Sequence, residues 1–214
     1  AECLHELHRR IIDSLSEITD DYEIIFVEDH GCDGSWEIIC ELSRKFPKLK
    51  GLKLSRNFGV HNAITAGFNW ARGDWVVVIE CDLQDPPEEI KTLYQKALEG
   101  HDIVISRYKQ RSEIYSRWLL SIVYWRIISI LSGINFNPQL GIYRILSRKV
   151  VVEFCLFKEQ SRHFKGIIEW MGYNTTYVDM ERGKRFAGQS AFTVSKLFKA
   201  SVLYMLVYSD KPLK

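Results

Sequence analysis

The feature that most constrains this chain is a repeated alternation of two hydrophobic periods, with acidic runs placed directly after two of the apolar segments. Leu4, Leu7, Ile11, Ile12 and Leu15 recur at helical spacing, and Tyr22 to Val27 follows as a short β-branched run. Ser35 is expected to cap a helix with Trp36, Ile39, Leu42 and Phe46 on one face, and Leu49 to Leu54 reads as the next strand. Ala63, Ile64, Gly67, Phe68 and Ala71 predict another helix, stopped by Gly73. Trp75 to Ile79 is an apolar run suited to a buried parallel strand. A helix over Glu88 to Glu99, closed by Gly100, and a strand at Asp102 to Ile105 complete the series. This βαβα order predicts an α/β fold, a doubly wound sheet with helices on both faces.

After Ser106 the pattern changes. The spacing predicts a long amphipathic helix over 113–132, a helix over 147–157 capped by Ser147, a third over 163–171, and a strand at Thr175 to Val178. A basic loop from Glu181 to Ser190 then leads to an apolar helix at about 193–208. No Pro/Gly/Ser-rich linker or internal repeat interrupts the 214 residues, so one domain is expected, with halves at 1–106 and 107–214.

Charge divides along the same line. Residues 1–104 carry 11 Lys and Arg against 20 Asp and Glu, whereas residues 105–214 carry 18 against 7. An acidic half joined to a basic half suits a site where carboxylates hold a cation and basic groups face anions. The basic half has no helix-turn-helix, zinc-finger or RNP-like pattern, so nucleic acid is not expected as a partner. Five Cys without CxxC pairs argue against a disulfide framework and for a reducing, cytoplasmic setting. The most apolar stretch, Leu119 to Ile134, contains Arg126 and is shorter than the ~18 to 20 residues of a spanning helix. Trp118, Trp125, Arg117 and Arg126 within the 113–132 helix instead suit a membrane surface.

Two acidic clusters sit where strands are expected to end, the position at which open parallel sheets gather ligands. The first is Glu28-Asp29-His30-Gly31-Cys32-Asp33-Gly34-Ser35, and the second is Glu80-Cys81-Asp82-Leu83-Gln84-Asp85-Pro86-Pro87. On an extended segment Glu80, Asp82 and Gln84 point the same way and offer two carboxylates and an amide oxygen, an oxygen-only set for Mg²⁺ or Mn²⁺. Asp85, Pro86 and Glu88 fit the Ncap, N1 and N3 positions of a helix start, which makes Asp85 mainly a cap. His30 and His61 have no second His or Cys at ligand spacing.

Seven segments in order resemble one family. They are Tyr22-Glu-Ile-Ile-Phe-Val-Glu-Asp, Leu54-Ser-Arg-Asn-Phe-Gly with Ala63-Ile-Thr-Ala-Gly, Gly73-Asp, Asp82-Leu-Gln-Asp-Pro-Pro-Glu, Arg144-Ile-Leu-Ser-Arg-Lys-Val-Val, Phe164-Lys-Gly-Ile-Ile-Glu-Trp-Met-Gly and Arg185-Phe-Ala-Gly-Gln-Ser. Together they resemble the family 2 glycosyltransferases of the GT-A fold, a doubly wound mixed sheet. Within that family the resemblance is to the polyprenyl-phosphate branch, which includes dolichyl-phosphate mannosyltransferases and undecaprenyl-phosphate glycosyltransferases.

The resemblance implies metal-dependent, inverting transfer of a hexose from a UDP- or GDP-sugar to a polyprenyl phosphate. Glu28 and Asp29 match paired acids near the nucleotide base, and Ser55, Arg56 and Asn57 match a segment lining the nucleotide pocket. Asp82 matches the second Asp of a DxD metal motif in which Glu80 replaces the first, with Gln84 beside it. Arg144 falls in a substrate-binding motif, and Arg185, Gly188 and Ser190 match a basic loop near the diphosphate and acceptor phosphate. Asp82 and Arg185 are thereby implied in the chemistry itself. The family opens with a strand that this chain is expected to lack, and relatives continue into transmembrane helices, so a fragment shortened at both ends is expected. The implied partners are a nucleotide-sugar donor, a lipid phosphate acceptor and the inner face of the cell membrane, with self-association as a homo-oligomer left open. Transfer to a saccharide hydroxyl and a non-catalytic nucleotide-binding role are the competing readings.

Overall fold

The computed structural model describes residues 3–108, 140–159, 162–181 and 183. The order is α1 (Leu4–Ser16), β1 (Ile24–Glu28), α2 (Ser35–Lys45), β2 (Leu49–Lys53), α3 (Val60–Trp70), β3 (Trp75–Val78), a 3₁₀ turn (Pro87–Glu89), α4 (Ile90–Leu98), β4 (Ile103–Tyr108), β5 (Leu140–Ser147), α5 (Arg148–Leu156), α6 (Phe164–Trp170) and β6 (Thr175–Met180). The expected βαβα order of the first hundred residues is present. The helices expected over 113–132 and 193–208 lie outside the described residues.

β1 and β2 pair in parallel, and β3, β5, β4 and β6 form a four-stranded sheet in that order. β5 runs antiparallel to both neighbours, whereas β4 and β6 are parallel, so the sheet is mixed. β5 is a strand that hydrophobic periodicity did not reveal. Arg144 and Gly141 break its apolar run, yet Tyr143, Ile145 and Leu146 are essentially inaccessible and sit at the centre of the sheet.

Among the described residues no ladder joins β1 to β3. The two sheets are nevertheless tied together. The Arg72 N–H, just before β3, donates to Glu23 Oε1, just before β1, at 2.6 Å. A single apolar cluster combines Leu4, Leu7 and Ile11 of α1 with Ile24 and Phe26 of β1 and with Trp75 and Val77 of β3. α1 therefore packs against both sheets through this cluster. On the opposite side Phe68 of α3, Phe154 of α5 and Phe164 of α6 meet edge to face, with centroids 5.3 to 5.8 Å apart. Burying large aromatic groups here clamps three helices onto β4 and β5, and truncating one would cost about 3 to 5 kcal/mol.

Candidate active site

The topology brings both acidic clusters to one pole. Because Glu23 and Arg72 hold the amino ends of β1 and β3 together, the strands' exits lie at the other end. α1 confirms the order. Cys3 at its start packs against the apolar cluster that holds Leu83, Arg10 pairs with Glu88 at 2.6 Å, and Lys91 pairs with Glu17 at 2.8 Å. α1 thus starts beside the turn after β3 and hands the chain back toward that turn through β1.

In the first cluster the carboxylates bind backbone. Glu28 is only 6% exposed, and its Oε1 accepts the Gly31 N–H in a short hydrogen bond. Its Oε2 is buried with no hydrogen-bond partner among the described residues. Asp29 reaches the loop between β2 and α3: Oδ1 accepts the Phe58 N–H and Oδ2 the Gly59 N–H, each at 2.7 Å. Ser55, Arg56 and Asn57 are exposed on that loop, and the Arg56 guanidinium lies 4.4 Å from the Phe58 ring centre. Ser35 is the first residue of α2 rather than its cap; Asp33 Oδ1 accepts both its N–H and its hydroxyl, and Gly34 holds the cap position at φ 77°.

In the second cluster the chain is not extended. β3 ends at Val78, residues 81–83 turn, and Leu83 has φ 58° with its side chain buried. Asp82 Oδ1 accepts the Gln84 N–H at 3.1 Å, so a turn rather than strand alternation sets these side chains. Asp85 is not a helix cap. The cap position belongs to Pro86, without a side-chain bond, while Asp85 is 1% exposed and accepts the Tyr108 hydroxyl in a short hydrogen bond. Tyr143 donates to the Pro86 carbonyl at 3.0 Å, and burial raises its hydroxyl well above the usual tyrosine value. These contacts fix the turn to β4 and β5.

Gly183, at the root of the basic loop, is seated on this turn. Its N–H donates to the Gln84 carbonyl at 2.9 Å, and Gln84 Nε2 reaches the Gly183 carbonyl at 3.5 Å. A Cβ on Gly183 would stand 3.3 Å from the Gln84 carbonyl oxygen and 3.4 Å from that of Leu83. Arg185, Gly188 and Ser190 lie outside the described residues.

Arg144 is buried, 1% exposed. Nη2 donates to the Gly141 carbonyl at 2.6 Å, Nε donates to that of Ile142 at 3.2 Å, and the guanidinium stacks 4.8 Å from the Phe164 ring centre. Beside it lies a pair that sequence spacing did not reveal: the rings of His61, in the first turn of α3, and His163, the cap of α6, are 4.2 Å apart. His163 Nδ1 accepts the Gly166 N–H. Burial holds His61 down to about 4 and His163 to about 2, with Lys165 reinforcing both. Two histidines far apart in the chain carry no local signal, and only the packing of α6 on α3 joins them.

Among the described residues no three His, Cys, Asp or Glu side chains are grouped to hold a metal ion unaided. Glu80 and Asp82 are hard oxygen donors two residues apart in the chain, a residue type suited to Mg²⁺ or Mn²⁺. Desolvation, with Cys3 nearby, raises the Cys81 thiol above its ordinary value. None of the described helices is long and apolar enough to cross a membrane.

Known proteins match this chain closely. A family model described as glycosyl transferase family 2 matches residues 2–154. An uncharacterized glycosyltransferase of Bacillus subtilis is 35% identical over 212 residues, 99% of this chain and 66% of that protein. The bactoprenol glucosyl transferase of Shigella phage SfV is 32% identical over 198 residues, 90% of this chain and 63% of that protein. The chain thus spans about two thirds of the length of the curated relatives it matches. In fold it is similar to glucosyl-3-phosphoglycerate synthase from Mycobacterium tuberculosis, with a TM-score of 0.56 at 15% identity, over 94% of this chain and 74% of that one.

Proposed function

The chain belongs to glycosyl transferase family 2, and from that premise we propose that it moves a hexose, with inversion, from a UDP- or GDP-sugar to a polyprenyl phosphate at the inner face of a membrane. The similarity to a bactoprenol glucosyl transferase over nine tenths of the chain carries this reading. The two acidic turns at one pole of a GT-A sheet support it. The chain is read as one domain, in which residues 1–106 bind the donor and residues 107–214 face the acceptor.

Glu80 and Asp82, with the Gln84 amide beside them, would hold Mg²⁺ or Mn²⁺, which when bound neutralises charge on a nucleoside diphosphate leaving group. Glu28, Asp29 and the loop Ser55–Asn57 orient the nucleoside. Arg185, with Gly188 and Ser190, holds the diphosphate and the acceptor phosphate; Gly183, two residues before Arg185, is fastened to the Gln84 turn. Arg144 supports this side of the site from within the sheet. An acceptor phosphate is anionic near neutral pH, so its oxygen needs no general base to attack the anomeric carbon. His61 and His163 are held neutral by burial, and neither has to carry a proton in this scheme.

The test is direct. With a UDP- or GDP-hexose, Mn²⁺ and undecaprenyl phosphate in vesicles, the expected product is an organic-extractable hexosyl phospholipid that disappears on chelation. Transfer to a saccharide acceptor with none to the lipid, or donor binding with no transfer at all, would overturn the proposal.

A further inference from the structure

The loop expected to line the nucleotide is built like a bow with both feet on two consecutive residues. At one foot the Leu54 N–H donates to the Glu28 carbonyl at 2.9 Å. At the other, the N–H groups of Phe58 and Gly59 donate separately to the two carboxylate oxygens of Asp29, each at 2.7 Å. Between the feet, Ser55, Arg56 and Asn57 are exposed.

The second foot is also the foundation of α3. The Gly59 carbonyl accepts the N–H groups of Asn62 and Ala63 at 3.1 Å, and Asn62 Nδ2 donates to the Phe58 carbonyl at 2.9 Å. Gly59 itself has φ 88° and ψ 159°, a conformation open almost only to glycine. That backbone turn is what aims the Gly59 N–H at Asp29.

A carboxylate with each oxygen accepting a backbone N–H at this distance is geometrically committed, and charge-assisted bonds of this kind are among the stronger ones available to a side chain. We propose that Asp29 is a positioning residue: it builds the nucleotide-lining loop through the amides of Phe58 and Gly59 and does not itself read the base. The inference rests on the donor-site reading above for its consequence, because a fixed loop presents Ser55 to Asn57 to any nucleotide in the same way. The clamp itself depends only on the geometry.

Two measurements on the full chain separate these layers. In the nucleotide-free protein, hydrogen exchange should show the Phe58 and Gly59 amides slowed by about tenfold or more relative to the same amides in Asp29→Asn, while protection in β5 is unchanged. Amides in this position at a helix start otherwise lack an intrahelical partner and exchange readily. Calorimetry with UDP and GDP in Mn²⁺ should then show Asp29→Asn weakening both nucleotides by a common factor of about ten, their ratio constant within about twofold. Gly59→Ala, which strains the backbone at φ 88° and leaves the carboxylate in place, should reproduce both effects.

Unchanged exchange at Phe58 and Gly59 in Asp29→Asn would overturn the clamp. A changed UDP to GDP ratio would overturn the claim that Asp29 does not read the base. Binding of neither nucleotide by the parent chain would instead remove the donor-site reading, and the exchange arm would still decide the clamp.

Discussion

Two acidic turns leave the carboxyl end of the sheet, 28–35 after β1 and 80–87 after β3, and each places one non-glycine residue at positive φ, His30 and Leu83, both at 58°. In the first turn Glu28 and Asp29 accept three backbone N–H groups between them, two of which belong to another loop. In the second, Asp82 accepts the Gln84 N–H within its own turn, Leu83 sits in the core, and Asp85 lies under Tyr108. The first turn is thus joined to another loop through backbone amides, and the second to the core and to β4 through side chains. Composition cannot tell these apart, because the difference lies in which backbone amides come within reach.

The largest expected contrast concerns acid. α3 carries the loop clamped by the first turn, and its first turn rests on His163 through His61, two imidazoles kept neutral by burial. In the unfolded chain both bind protons below their ordinary value of 6.5, whereas the folded chain resists doing so until about pH 4 for His61 and about 2 for His163. The unfolded state therefore binds more protons between these limits, and stability falls as pH drops below about 6.5. His61 alone would account for about 3 kcal/mol by pH 4. Denaturant titrations from pH 7 to 4.5 should show this loss, with exchange at residues 58–63 rising before exchange at 83–86. Simultaneous loosening of both regions would mean that the two turns are not independently anchored.

Next in size is Asp82→Asn. If this carboxylate holds the cation, the variant should lose about 100-fold in Mn²⁺-dependent nucleotide affinity, roughly 2.7 kcal/mol. Asp29→Asn should weaken nucleotide binding with or without the ion. Unchanged Mn²⁺ dependence in Asp82→Asn would remove the metal assignment and make both turns scaffolds.

Much of this arrangement was legible in the sequence, and the parts that were not share a cause. Apolar runs and strand-end acids located β1, β3 and both clusters because those signals are local. β5 was missed because a buried Arg144, tolerated by bonds to the carbonyls of Gly141 and Ile142, splits its hydrophobic run. Asp85 was read as a cap because the Pro86 and Glu88 spacing fits one, whereas its partner Tyr108 arrives from β4, 23 residues away. The alternation argument for Glu80, Asp82 and Gln84 failed for a subtler reason. A leucine at positive φ is disfavoured locally, and burial of its side chain helps hold it there.

That last point gives the smallest and most discriminating comparison. Leu83 and His30 share a backbone conformation that costs a non-glycine residue roughly 1 kcal/mol, so glycine relieves the same strain at either site. At Leu83 the relief is outweighed: deleting a buried leucine side chain costs about 2 to 5 kcal/mol, and Leu83→Gly should destabilise by about 2 kcal/mol while loosening the Asp82 turn. At His30 the side chain is exposed, and its Nδ1 makes a long 3.4 Å approach to the Leu54 carbonyl. His30→Gly should therefore change stability by less than about 1 kcal/mol, with a stabilising sign, since strain relief slightly exceeds the added freedom of the unfolded chain. Chemical denaturation of the two variants side by side checks the signs. Equal destabilisation by both would show that the His30 imidazole holds the first turn as firmly as the buried Leu83 side chain holds the second.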